Sequence, residues 1–134
     1  MIGYVMIGIN DLDRGARFYD ALLAPLGLVQ VERVETYAAY APKAAKDAIE
    51  FYVTRPFDQA PATPGNGTMI ALSAPTMQAL EQFHRKGLQN GGSDEGAPGP
   101  REEGSSICYA YIRDFDGNEI CAFYDGVKVQ AADE

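Results

Sequence analysis

Histidine occurs once in this 134-residue sequence, as His84. A single imidazole excludes a multi-histidine metal site, and the place of His84 on a helix packed at the sheet's outer face speaks against a serine–histidine–aspartate triad. Cysteine is nearly as scarce, with only Cys108 and Cys121. In the strand register argued below they point to opposite faces of a hairpin, so a bridge between them is geometrically poor and both read as reduced thiols. Basic residues are outnumbered, 11 Lys and Arg against 19 Asp and Glu, for a net charge of −8. Such a surface repels nucleic-acid phosphates; it serves solubility and names no cationic partner. No stretch approaches the run of about 20 apolar residues that a membrane span needs. The N-terminal Met1-Ile2-Gly3-Tyr4 enters a strand pattern without the charged start of a signal peptide. The expectation is a soluble cytoplasmic protein that contacts neither nucleic acid nor membrane.

The densest pattern runs from Tyr109 to Phe123 and reads as a β-hairpin. Its turn, Asp114-Phe115-Asp116-Gly117-Asn118, contains the residues that tolerate positive φ. Pairing about that turn sets Tyr111 opposite Cys121 and Tyr109 opposite Phe123, all on one face. Ala110, Ile112, Ile120 and Ala122 take the other face, small and apolar enough to lie under a helix.

Earlier in the chain, Tyr4 to Ile9 alternates as a strand. Asn10 and Asp11 are helix-capping types. Leu12, Ala16, Tyr19, Leu22, Leu23 and Leu26 then form an apolar helical stripe, ended by Pro25 and Gly27. Leu28–Val34, Tyr37–Ala41 and Ala48–Thr54 read as strands, and Arg55 to Gly67 as a Pro/Gly/Ala-rich linker. Thr68–Ala74 is another strand, Pro75 sits near the first position of a second helix, and Met77, Leu80, Phe83 and Leu88 give that helix its apolar side. Ser93 to Gly104 reads as a loop or irregular edge strand. Residues 127–134 read as a mobile acidic tail.

The two strand–helix starts superimpose: Tyr4 falls on Met69, Ile7 on Leu72, Phe18 on Phe83, Tyr19 on His84 and Gly27 on Gly92. The repeat predicts an α+β protein of two βαβββ modules, about 1–55 and 67–126, joined by a loop over about 56–66. The modules form a curved mixed-sheet cup with helices on its outer face. Its inner face is lined by Tyr4, Met6, Met69, Ala71, Tyr109, Tyr111, Cys121 and Phe123.

Three stretches, Tyr4 to Leu28, Gly65 to Leu72 and Arg113 to Ile120, carry a resemblance to the vicinal oxygen chelate superfamily, which contains glyoxalase I, the bleomycin-resistance proteins and the extradiol dioxygenases. The resemblance implies a single glyoxalase-like domain over 1–134, and often a homodimer. It also places Glu50 on the inner face, which strand alternation alone does not decide. In the enzymes of that family a divalent metal sits in the cup, held mostly by histidines and glutamates. Here the matching positions hold Tyr4, Met69, Cys121 and Glu50, and only Glu50 keeps a ligand type suited to hard or borderline ions. Phe115 stands where the family's turn usually has proline.

The expectation is therefore a superfamily member without the usual metal and without a cofactor, binding a small, partly aromatic molecule through Tyr4, Met6, Met69, Tyr109, Tyr111, Cys121 and Phe123. Tyr37, Tyr40 and Tyr52 lie nearby in sequence, and Arg55, Arg101 and Arg113 are rim candidates for an anionic group. Two alternatives stay open. One is an enzyme, either a metal-dependent lyase, isomerase or dioxygenase with an atypical site or a metal-free catalyst with Glu50 as general base. The other is a dimer whose cup is filled by its own rings. Cys121 reads as a half-buried thiol in a vacated ligand position, and His84 as a helix residue packed at the sheet's outer face.

Overall fold

The architecture comes from a computed structural model, in which residues 1–127 are described. The expected acidic tail, Val127 apart, lies outside the described residues. The first module opens with β1 (Val5–Gly8), whose Val5 and Ile7, followed by Ile9, turn inward. Asp11 caps α1 (Leu12–Leu23), its side chain accepting from the Arg14 N–H at 3.1 Å. A 3-10 turn, Ala24–Leu26, follows, and Gly27 at φ 87° reverses the chain in the left-handed region that glycine enters without steric cost. β2 (Leu28–Arg33) pairs antiparallel with β3 (Tyr37–Pro42), with a bulge between Gln30 and Glu32. β4 (Phe51–Thr54) then runs parallel to β1.

The second module repeats this plan with β5 (Ile70–Ser73), α2 (Met77–Gln89), β6 (Ser93–Pro100), β7 (Ile107–Arg113) and β8 (Glu119–Asp125). The sheets are ordered β1-β4-β3-β2 and β5-β8-β7-β6, two open four-stranded mixed sheets. The α+β fold of two βαβββ modules is thus present. The hairpin register is the expected one, with Tyr109 opposite Phe123 and Tyr111 opposite Cys121. The turn closes through Asp114 N–H to the Asn118 carbonyl at 3.0 Å, with Gly117 at φ 89°.

Two local expectations change, and the segment after α2 resolves into one of its two expected forms. β4 begins at Phe51 rather than Ala48, because residues 42–48 are taken up by turns, with Ala45 and Ala48 N–H donating to Pro42 and Ala45 carbonyls. Glu50 still joins the ladder, donating to Tyr40 O and accepting from Val5 N, each at 3.0 Å. Thr76 caps α2, its Oγ1 accepting from Ala79 N–H at 3.0 Å, so Pro75 precedes the cap and is not at the first helical position. Ser93 to Pro100 is a twice-bulged edge strand. Gly96 within it lies against Tyr111, where a Cβ would come within 2.7 Å of the ring.

Each helix covers one face of its own sheet, and the two helices pack on each other. The helix-facing residues of both sheets merge into one apolar cluster that includes Ile7, Phe18, Tyr19, Phe51, Phe83, Ile112 and Ile120. The hairpin turn of the second module is fastened into the start of the first. Tyr19 donates to Asp114 at 2.6 Å, Asn118 Nδ2 donates to the Gly8 carbonyl at 2.8 Å, and Asn10 Nδ2 donates to Asp116 at 2.8 Å. Phe115 sits between the Phe18 ring, 5.9 Å away edge-on, and the Arg14 guanidinium 3.9 Å over its face. Among the described residues no helix is long and apolar enough to cross a membrane.

Candidate functional site

With the helices holding one side of each sheet, the opposite sides are free, and strand alternation puts the tyrosines there. On the β5–β8 sheet the free face carries Tyr109, Tyr111, Cys121 and Phe123, with Met69 just ahead of β5. The Tyr109 and Tyr111 rings are nearly parallel, 6.2 Å apart at 12°, and Phe123 lies 6.3 Å from Tyr109. Arg101 Nη1 donates to the Tyr111 hydroxyl at 3.1 Å, and its guanidinium lies 5.5 Å from that ring's centroid. Met69, Glu95, Arg101, Tyr109, Tyr111 and Glu119 are among the lining of a shallow cavity of about 360 Å³.

On the other sheet the free face carries Tyr4, Met6, Tyr37, Glu50 and Tyr52. Tyr52 is at the centre, with Tyr4 edge-on at 4.9 Å and Tyr37 edge-on at 5.4 Å. Tyr37 donates to the Glu32 carboxylate, and that bond raises the phenol's pKa above its ordinary value. Tyr4 is 58% exposed and Met6 53%. A larger open cavity, about 1180 Å³, lies beside this face, between Met6 and Thr54 and the linker residues Arg55 to Pro61.

The residues expected to line one cup therefore fall into two sets. Tyr4, Met6 and Glu50 share the first sheet; Met69, Tyr109, Tyr111, Cys121 and Phe123 share the second. Among the described residues no ring contact or hydrogen bond joins the sets, and each cavity draws its strand residues from one sheet. Strand parity about the hairpin turn put Tyr109, Tyr111, Cys121 and Phe123 on one face, whereas Glu50 was placed by the resemblance. Parity carries no information on whether two faces of one chain confront each other.

Cys121 departs from expectation. It is 1% exposed rather than half-buried, and burial pushes its thiol up to about 11, with a Tyr111 hydrogen bond pulling the other way. A protonated, covered thiol is a poor nucleophile. Tyr40 leaves the candidate set because it faces α1, where its hydroxyl donates to Asp20 at 2.8 Å. Its opposite parity to Tyr37 was the available signal. His84 is buried against its sheet, as expected, and its Nε2 meets Asp94 Oδ1 at 2.9 Å. That bond, with the Gly96 N–H, holds the Asp94 carboxyl below the usual range. Glu32 was missed because the β2 bulge resets parity just before it.

The model of the Glyoxalase/Bleomycin resistance protein/Dioxygenase superfamily matches residues 1–122. A glyoxalase/bleomycin resistance protein from Albidiferax ferrireducens T118 is 37% identical and superposes with a TM-score of 0.79, over 91% of this chain and 96% of that one. The chain belongs to this superfamily. Two further structures show the shared fold. Glyoxalase I from Zea mays superposes at TM-score 0.70 and 21% identity, over 96% of this chain and 47% of that one. A glyoxalase-related enzyme from Fulvimarina pelagi superposes at 0.71 and 19% identity, over 95% and 89%. No curated protein matches the sequence.

The donors at this superfamily member's expected ligand positions do not fit a hard or borderline divalent ion. Tyr4 offers a phenol, Met69 a thioether and Cys121 a buried thiol that keeps its proton near neutral pH. Glu50 alone is a carboxylate, and one carboxylate does not make such a site.

Proposed function

We propose that the protein binds a small, partly aromatic molecule on its tyrosine-lined free faces, without the superfamily's metal. We further propose that it does so as a cytoplasmic homodimer, in which the first sheet of one chain faces the second sheet of the other. The observation that carries the reading is the pair of aromatic rows. Tyr4–Tyr52–Tyr37 and Tyr111–Tyr109–Phe123 both lie opposite the helices, where core packing does not require them. Flat rings bearing hydroxyls suit a flat organic ligand through stacking and hydrogen bonding. A second copy is supported by the apolar residues left exposed on both free faces. Tyr4 and Met6 leave apolar surface open on the first free face and Met69, 44% exposed, on the second, surface of the kind that marks an interface or a binding site.

The test is a thermal-shift screen of small aromatic compounds in chelator, paired with sedimentation analysis. The reading expects a dimer, hits that raise Tm, and loss of those hits in Tyr111→Ala and Tyr52→Ala at little cost to Tm. No hits, together with a Tm loss of core size in Tyr111→Ala, would mean that the rings fill the space themselves. Glu50 is exposed in the single chain, so the apolar enclosure a carboxylate base needs has to come from the second copy. Glu50→Gln is expected to keep ligand affinity; kept affinity with lost turnover would assign it catalysis.

A further inference from the structure

We propose that the molecule bound on the second sheet is an aromatic carboxylate, with Arg101 and Tyr111 receiving the carboxylate and Tyr109 and Met69 supporting the ring. This assignment rests on the small-molecule reading above and adds the ligand's charge and the residue that selects it.

The rim arginines separate by their partners. Arg55 donates to the Glu35 carbonyl at 2.7 Å and has its carboxylate within 3.9 Å. Arg113 is held by Glu95 at 2.9 Å and by Glu119 at 3.3 Å, so the two carboxylates lining the cavity are both already engaged. Arg101 has no carboxylate partner among the described residues. Its hydrogen bond runs to the neutral Tyr111 hydroxyl. A guanidinium has five N–H donors in a planar fork that matches a carboxylate, and here most of them remain unspent at the cavity's rim.

Tyr111 completes the receiver. Its oxygen accepts from Arg101, and its own O–H, which serves the covered Cys121 in the ligand-free chain, turns to the anion when one is bound. Desolvation raises the phenol's pKa against the pull of Arg101, so the proton stays on at neutral pH. The cavity therefore offers the Arg101 fork at one end, with the Tyr111 hydroxyl beside it. The near-parallel Tyr109 ring and the Met69 thioether lie along the same lining, as apolar surface for the ring of an aromatic acid. The protein's −8 charge does not oppose this, because discrimination at contact distance depends on the local donors and distant exposed charges are screened.

Benzoate, its neutral isostere benzamide and the cation benzamidine make the test, titrated calorimetrically into the full chain in chelator. Benzoate is expected to bind at least tenfold tighter than benzamide, with benzamidine weakest. Arg101→Gln, at an exposed position, is expected to abolish that preference, costing benzoate far more affinity than benzamide; Tyr111→Phe is expected to reduce it several-fold. Equal binding of the three probes, unaffected by Arg101→Gln, overturns the carboxylate assignment and leaves the aromatic-binding reading standing. No binding of any probe, with no hit in the wider aromatic screen, overturns both. If Arg101→Gln instead turns the dimer into monomer with the benzoate preference intact, Arg101 pairs with a carboxylate of the second copy and the assignment fails.

Discussion

On their helix-facing sides the two modules are alike in kind. Ile7, Phe51 and Val53 in the first and Ile112, Ile120 and Phe83 in the second are buried in one shared cluster. On their free sides they differ. The first sheet presents three edge-on tyrosines with Glu32 and Glu50; the second presents near-parallel tyrosines, a covered thiol and an arginine with no carboxylate partner among the described residues. A repeated βαβββ frame thus has one side constrained by packing, which admits only apolar residues of suitable volume, and one side open to specialisation. The free sides are where the two modules diverge while the repeated frame is kept.

The contrast between the two sides is sharpest at Phe18. The ring is buried at the junction of the modules, edge-on to Tyr19 and Phe115. Phe18→Ala is expected to cost about 3–5 kcal/mol in chemical denaturation, with both modules unfolding in one transition. Tyr4→Ala, on the free face, is expected to cost under about 1 kcal/mol. Equal costs would erase the distinction between the sides.

Asp114 tests the join between modules. It accepts from the buried Tyr19 hydroxyl, from Asn118 Nδ2 at 2.9 Å and from the Asp116 and Asn118 N–H groups, each at 2.9 Å. Asp114→Ala orphans the Tyr19 hydroxyl and loosens the turn, for a loss of roughly 3 kcal/mol. Glu103→Ala, at an exposed position in the loop before β7, serves as the neutral control.

The smallest effect concerns Cys121. Its folded pKa is raised to about 11 from an ordinary 9.0. The unfolded thiol ionises first, so this contribution to stability is complete below pH 9.0 and is lost as pH rises toward about 11. Cys121→Ala should flatten that part of the alkaline stability curve. At pH 8 the thiol should resist Ellman's reagent until denaturant is added. Rapid labelling of Cys121 in the native protein would restore the nucleophile reading.

Much of this architecture was legible in the residues. The hairpin register followed from alternation about an Asp-Gly-Asn turn, and α1 from its Asp11 cap and apolar stripe. What stayed hidden were properties of three-dimensional placement. Alternation places Tyr4 and Tyr109 on free faces but says nothing of their sharing a cavity, and within this chain no contact joins them. Phe115 read as a departure from the usual proline, yet its ring packs against Phe18 and Arg14 of the other module, a long-range contact that no local propensity reports. Burial of Cys121 and the lack of a carboxylate on Arg101 likewise depend on neighbours distant in sequence.

Metal independence is measured most directly by titrating one aromatic hit from the thermal-shift screen into the protein in chelator, then repeating with Mg, Mn, Fe(II), Ni or Zn in stoichiometric excess. Saturable binding in chelator, with an affinity the ions leave within about twofold, is the expected result. Binding that requires one of those ions, and that Glu50→Ala abolishes together with the bound metal, would contradict it.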